Sequence, residues 1–335
     1  MKFGYRDVCL EHSTGPRHPE SPDRLRAIRE ALSKCHGVEY SAGEPATVAT
    51  IEGVHDPDYV SELRSFCENG GGQWDADTVA TGATWDAALA SAGLGQWAVE
   101  TALDGADGRN TPFSLGRPPG HHAVADDAMG FCFFNNVALA AEAAREAGDV
   151  ERIAIVDWDV HHGNGTQELF YDRGDVLFAS IHEQGLYPGT GAVDETGEAA
   201  GAGRTINVPF PPGAGEVEYI AALERVIGPE IRSFDPGLVI VSAGFDAHEH
   251  DPISRMRLPT EGYGQLANAV RELASDTDAA LAFVLEGGYG LDTLSESVRT
   301  VHEVFDGYEP PAAEGEPSRD ALSVLEALEA QGFGS

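Results

Sequence analysis

The chain has 335 residues, 42% of them hydrophobic, with 56 aspartates and glutamates against 21 lysines and arginines, a formal net charge of −35. A chain so poor in clustered lysine and arginine is unsuited to phosphate-backbone binding, and no apolar run is long enough to span a bilayer, so direct nucleic-acid and membrane partners are set aside. The four cysteines (Cys9, Cys35, Cys67, Cys132) include no Cys-x-x-Cys pair, which argues against a thiolate metal site or disulfide framework and fits a reducing, cytoplasmic compartment.

The acidic residues are spread along the whole chain, and Lys2 and Lys34 are its only lysines. That pattern reads as adaptation to a multimolar-salt cytoplasm, a halophile's, where charges are screened beyond about 3 Å. In chain order, the Pro-punctuated residues 11–25 lead into a helix starting near Ser21, with Pro22 at its first position. A second helix follows the loop Val54–Val60. Residues 69–78, including Trp74, Asp75 and Asp77, read as a flexible, exposed tract of the kind that rims a site. An Ala-rich helix spans Ala83 to Asp104. Then Gly116-Arg117-Pro118-Pro119-Gly120-His121-His122-Ala123 sets tandem histidines after a Pro-Pro-Gly loop. Gly130-Phe131-Cys132-Phe133-Phe134-Asn135-Asn136 runs into a helix over Val137–Ala147, with asparagine as its natural cap.

The segment from Ile153 to Gly165 begins as a β-branched apolar strand and ends in Asp157-Trp158-Asp159-Val160-His161-His162-Gly163-Asn164. In extended chain, alternate residues share a side, so Asp157, Asp159 and His161 converge as a plausible metal site at a strand's carboxyl end, where open α/β sheets bind ligands. Buried strands follow at Val176–His182, Thr205–Val208, Leu238–Ser242 and Ala280–Leu285, with a helix over Glu216–Ser233. Their loops carry Tyr187-Pro188-Gly189, Gly244-Phe245-Asp246-Ala247-His248 and Glu286-Gly287-Gly288-Tyr289. His248 and His250 read as structural or solvated residues at a helix start. The repeating pattern predicts one α/β domain over residues 1–305, with an open, mostly parallel sheet flanked by helices and the site at the strands' carboxyl ends. Residues 306–318 read as a linker and 319–335 as a C-terminal helical appendage.

Taken together, the five motifs around His121-His122, Gly130-Phe131, Asp157 to Asn164, Asp246 and Glu286 to Tyr289 resemble the histone deacetylase superfamily, nearest its class II-like prokaryotic members and the acetylpolyamine amidohydrolases. The resemblance runs from His18-Pro19-Glu20 to about Phe305. It implies an arginase-like sheet and zinc-dependent hydrolysis of an acetyl amide, on acetyl-lysine or a small acetylated amine. By the same resemblance Asp159, His161 and Asp246 hold the metal. Two carboxylates in that set also suit Fe(II) or Mn(II).

The tandem histidines match the pair beside the attacking water, with Asp157 behind His121 and Asn164 behind His122. A carboxylate favours imidazolium, suiting His121 as an electrostatic stabiliser, whereas an amide fixes the tautomer without imposing charge, suiting His122 as the base. Tyr289 matches the donor to the developing oxyanion. Phe131 and Tyr187 match the walls of a narrow channel, Gly130 permits close backbone approach, Asp75 matches a rim acid with Asp77 as a competitor, and Ile253 falls near the mouth. A structural potassium ion is implied at Asp157, Asp159, His161, Ser180 and Ile181, mostly through backbone oxygens. Two departures stand out: Ile253-Ser254-Arg255 replaces a Gly-rich turn, offering nothing to a second ammonium, and Ala199 replaces a common glycine, expected to matter little. A two-metal ureohydrolase is disfavoured by the lack of a second Asp-rich motif, and a non-catalytic acyl-group binder by the intact motif set. Homo-oligomerisation is compatible with the sequence.

Overall fold

The computed structural model describes residues 1–148 and 150–334. Its strands are Lys2–Gly4 (β1), Glu39–Ser41 (β2), Gly71–Gln73 (β3), Val79–Thr81 (β4), Pro112–Ser114 (β5), Ile153–Asp157 (β6), Val176–Glu183 (β7), Thr205–Phe210 (β8), Leu238–Ala243 (β9) and Ala280–Leu285 (β10). Eight of them form one sheet in the order β2-β1-β5-β10-β9-β6-β7-β8, every pairing parallel. The continuous apolar runs follow from this: parallel strands are covered by helices on both faces, so both sides of the pleat are buried. Ile153, Ile155, Leu238 and Ile240 pack with helices Thr84–Leu103 and Asn136–Glu146. Their alternate neighbours Ala154, Val156, Val239 and Val241 pack with helices Asp23–Leu32, Thr260–Asp276 and Leu291–Phe305.

Register positions the site. Asp157, the last residue of β6, lies opposite Ser180 of β7 and Ser242 of β9, so the loops that leave these strands open on one edge. Asn135, one residue ahead of the helix Asn136–Glu146, accepts the Ala138 N–H and caps it. The helix after Glu216 reaches Phe234 but widens into a π turn over Leu223–Ile227, just ahead of Pro229, whose ring nitrogen cannot donate. The N-terminal helix begins at Asp23, with Pro22 in the capping position.

Residues 69–78 are not the loose tract expected. β3 and β4 pair antiparallel, and Trp74 anchors the hairpin by packing edge-on against Tyr59 and Phe66 and donating its indole N–H to Asp127 at 2.8 Å. His248 and His250 do not start a helix either. They sit in a loop, His248 buried against Thr260 and His250 exposed. Sequence reading passes over the helices Thr260–Asp276 and Leu291–Phe305 and the three-residue strands β1, β2 and β5, which are too short for periodicity to register. Beyond the irregular residues 306–318, helix Arg319–Ala330 places Ala321, Leu325 and Leu328 in the larger core cluster.

Candidate active site

Each polar residue of the site stands at the end of a strand or in the turn after it. Asp157 closes β6, and the chain then turns because its Oδ1 accepts the Asp159 N–H at 3.0 Å, while Asp159 Oδ1 accepts the His161 N–H at 2.9 Å. The alternation read from the sequence is therefore a ladder of carboxylates that cap their own loop. Asp246, three residues past β9, accepts the Val160 N–H at 2.9 Å, and Gly287, two residues past β10, donates to Asp159 Oδ2 at 2.8 Å. A side chain at Gly287 would strike the carboxylates of Asp246 and Asp159, so this position must be glycine.

Asp159, His161 and Asp246 are buried, and one ligand atom from each lies within 4.8 Å of the others. His161 Nδ1 faces Asp159 Oδ1 at 2.9 Å and Asp246 Oδ2 at 3.3 Å. Burial opposes charge on His161, yet the two carboxylates raise its pKa to about 10. Asp246 Oδ2 is buried without a hydrogen-bond donor. Two carboxylates and one imidazole nitrogen converging on one point, with a buried anionic oxygen unsatisfied, fit a divalent cation in place of a shared proton.

Beside this cluster stand the two histidines, their rings 4.0 Å apart. The Nδ1–H of His121 donates to Asp157 Oδ2 at 3.0 Å, and its Nε2 lies 3.7 Å from Asp159 Oδ1. Burial works against its charged form, but Asp159 and Asp157 outweigh it and raise the pKa to about 10. His122 is the opposite case. Burial, together with the neighbouring His121 and His161, holds it well below the ordinary histidine value. Its Nδ1–H donates to Asn164 Oδ1 at 2.8 Å, and the Asn164 amide is turned that way because its NH2 donates to the His122 carbonyl and to Met129 Sδ. His122 Nε2 is thereby left as an acceptor.

Tyr289 follows β10 and lies beneath the Arg24 guanidinium, 5.1 Å from its ring centroid. Burial, then the charge of Asp246, keeps its phenol protonated far above the usual range. Phe131 stands edge-on to Tyr289 at 5.9 Å, and Tyr187 edge-on to His122 at 5.0 Å, so both expected wall residues reach the site. Gly130 has φ of 55° and Phe131 of 69°. A Cβ on Gly130 would press into the His122 ring and to 2.8 Å from Tyr187, so backbone and imidazole touch directly there.

The rim is looser. Asp75 spends Oδ1 on the N–H groups of Asp77 and Thr78, closing the hairpin tip, and Thr78 Oγ1 in turn accepts the Phe131 N–H at 3.2 Å. Asp77 holds His18 through its carbonyl, and His18 packs on Phe131 at 4.6 Å. Half-buried Ile253 donates its N–H to Asp251 Oδ1. Among the expected potassium positions, the hydroxyl of Ser180 is bonded to His182 Nδ1 at 2.9 Å, and Ile181 is a buried strand residue.

Three supports were not read from the sequence. Asp251 Oδ2 accepts the N–H groups of Tyr289 and Gly290 at 2.7 and 3.0 Å and so fixes the turn that carries the tyrosine. Glu286 holds the histidine loop. Glu20 pairs with Arg24 and, through both carboxylate oxygens, with Arg117, while Arg24 donates to the carbonyls of Glu286 and Gly288. Glu20, Arg117 and Glu286 lie inside quoted motifs, but the Arg117–Glu20 pair and the main-chain partners of Glu286 and Arg24 are distant in sequence.

The histone deacetylase domain family matches residues 18–305. The histone deacetylase-like amidohydrolase of Pseudomonas aeruginosa is 36% identical over 344 aligned positions, covering 96% of this chain and 90% of that protein. A probable deacetylase of Archaeoglobus fulgidus is 38% identical, covering 86% and 81% respectively. The crystal structure of the HDA15 HD domain superposes with a TM-score of 0.90 at 34% identity, covering 98% of this chain and 95% of that one. With its motifs, its all-parallel sheet and its buried Asp-His-Asp cluster, the chain belongs to the histone deacetylase family.

Proposed function

We propose that the protein is a zinc-dependent deacetylase that hydrolyses the acetyl amide of acetyl-lysine or a related acetylated amine. The observation that carries this reading is the split between the paired histidines beside a cluster fit for a divalent cation: one imidazole is bonded to and held charged by carboxylates, while its neighbour is held neutral by burial and the adjacent histidines, with its tautomer fixed by the Asn164 amide. Asp159, His161 and Asp246 would hold that ion, Zn2+ first and Fe2+ or Mn2+ as alternatives. When bound, it supplies Lewis-acid polarisation of the amide carbonyl and acidification of water.

The chain's own residues do the rest. His122 Nε2 takes the proton of the attacking water and later gives it to the leaving amine nitrogen, so that acetate and a free amine result. His121, as imidazolium, stabilises the negative charge that grows at the reacting centre. Tyr289 donates its hydroxyl hydrogen to the carbonyl oxygen as that oxygen gains charge. Phe131 and Tyr187 would flank the methylene chain of the substrate and keep water from the site, with Gly130 giving room and Asp75 and Ile253 at the entrance. Asp157, Asp159, His161, Ser180 and Ile181 would hold a structural potassium ion, which a salt-rich, halophilic setting supplies freely.

The test is acetate release in molar KCl from an acetyl-lysine peptide compared with an acetylated diamine. Faster release from the peptide is expected, because Ile253 offers no partner to a second ammonium. Preference for the diamine would move the assignment to acetylpolyamine hydrolysis. Release from neither would favour a non-catalytic acyl-group binder.

A further inference from the structure

We propose that Glu286 is the positioning residue of the histidine pair, setting it through hydrogen bonds to the main chain of Gly120 and His121 more than through its charge. The proposal rests on the deacetylase reading for its kinetic consequence. Glu286 is fully buried, and among the described residues no lysine, arginine or histidine stands in ion-pair contact with it. A buried carboxylate without a counter-ion is unfavourable unless hydrogen bonds compensate, and here they are all short-range and directed. Oε2 accepts the N–H groups of Gly120 at 2.7 Å and His121 at 3.2 Å, and Oε1 accepts the hydroxyl of Ser242 at 3.2 Å.

Ser242 lies in register with Asp157, the carboxylate behind His121. On the other side of His121, its carbonyl accepts the N–H groups of Gly165 and Thr166 at 3.0 and 3.2 Å. The residue that carries the first imidazole, and leads directly into the second, is thus gripped at both main-chain polar groups. Glu286 supplies one grip and the turn after His161-His162 supplies the other. Burial raises the Glu286 pKa to about 7, and Oε2 keeps its place as an acceptor in either protonation state, more weakly when the group is neutral. Reach therefore matters more than charge.

Two variants separate these properties. Glu286→Gln keeps the length and the acceptor but removes the charge, and its NH2 can donate to Ser242. Glu286→Asp keeps the charge but shortens the reach by one methylene. We expect Glu286→Gln to retain kcat within about threefold, and Glu286→Asp to lose about 10- to 100-fold in kcat with KM nearly unchanged, the scale of a displacement of about 1 Å in a catalytic group. An independent readout is the proton NMR resonance of the His121 Nδ1–H bonded to Asp157. It should move in Glu286→Asp and hold its place in Glu286→Gln. The reverse order, with aspartate tolerated and glutamine inactive, or equal behaviour of the two variants in both readouts, overturns the proposal. If the wild-type protein releases no acetate, the deacetylase reading fails while the resonance still decides the role of Glu286.

Discussion

Asp157, Asp159, Asp246 and His121 lie on the floor of the site, almost fully buried, each bonded to the main chain or side chains of neighbouring turns, with Asp246 Oδ2 the atom left without a donor. Phe131, Tyr187, Asp75 and Ile253, the proposed rim, stand on half-exposed loops, with Phe131 packed on Tyr289, Tyr187 on His122, Asp75 bonded within its own hairpin and Ile253 to Asp251. On the floor, moving one residue breaks several bonds at once, so the geometry suits a fixed chemical step. At the rim, bonds confined to the local hairpin and loop leave room for sequence to vary without disturbing that step. On the proposed function, the chemistry and the choice of substrate would reside in different parts of the molecule, and substitutions should separate them.

The largest effect is expected at the point where floor and rim meet. Tyr289→Phe keeps the ring beneath Arg24 and against Phe131 but removes the hydroxyl donor, and kcat should fall about 100- to 1000-fold with KM little changed. Steady-state kinetics on an acetyl-lysine peptide measure this, and unchanged turnover would remove Tyr289 from the mechanism.

Next is Asn164→Asp, which tests why two adjacent histidines differ. Burial, then the neighbouring His121 and His161, holds His122 well below the ordinary histidine value, which favours the neutral form that the proposed base requires. A carboxylate at position 164 favours the imidazolium and raises that pKa. Because a base must be unprotonated to act, the ascending limb of kcat/KM against pH should move to higher pH. A limb that stays in place, or moves to lower pH, would contradict the assignment of His122.

Smaller effects belong to the rim. Asp75→Asn preserves the hairpin-closing acceptor and loses only charge, whereas Asp75→Ala loses both. If the carboxylate orients substrate, both variants should raise KM about tenfold, equivalent to about 1.4 kcal/mol, at nearly constant kcat. A rise confined to Asp75→Ala would assign the residue to the hairpin alone.

The smallest effect lies outside the site. Ala199 adopts φ of 48°, a left-handed conformation disfavoured by its Cβ, so the glycine it replaces matters more than its place in a loop suggests. Ala199→Gly should stabilise the fold by about 0.5–1 kcal/mol in denaturant unfolding, the gain reduced by the extra entropy of the unfolded glycine.

The same floor-and-rim division governs what could be read from sequence. Asp157, Asp159, His161 and Asn164 lie within eight residues of one another, and a strand followed by a turn brings such near neighbours together, so the motif itself conveys the geometry. His121, Asp246 and Tyr289 were placed by resemblance, and the parallel sheet explains why they meet: their strands end on one edge. The supports were illegible for a physical reason. Glu286 bonds main-chain N–H groups 165 and 166 residues away, and Arg117 pairs with Glu20 across 97 residues. Backbone partners carry no side-chain signature. The hairpin around Trp74 is not legible in the sequence, because a run of glycines reads as flexible while its order comes from a tryptophan anchored on Tyr59, Phe66 and Asp127.

The central claim, a metal-dependent deacetylase, is tested most directly by acetate release from an acetyl-lysine peptide in molar KCl, before and after chelation and then with Zn2+ restored. The account predicts release that is lost on chelation and recovered with the metal. Release that persists in protein stripped of metal would contradict it, because the buried Asp159, His161 and Asp246 cluster would then have no part in the reaction.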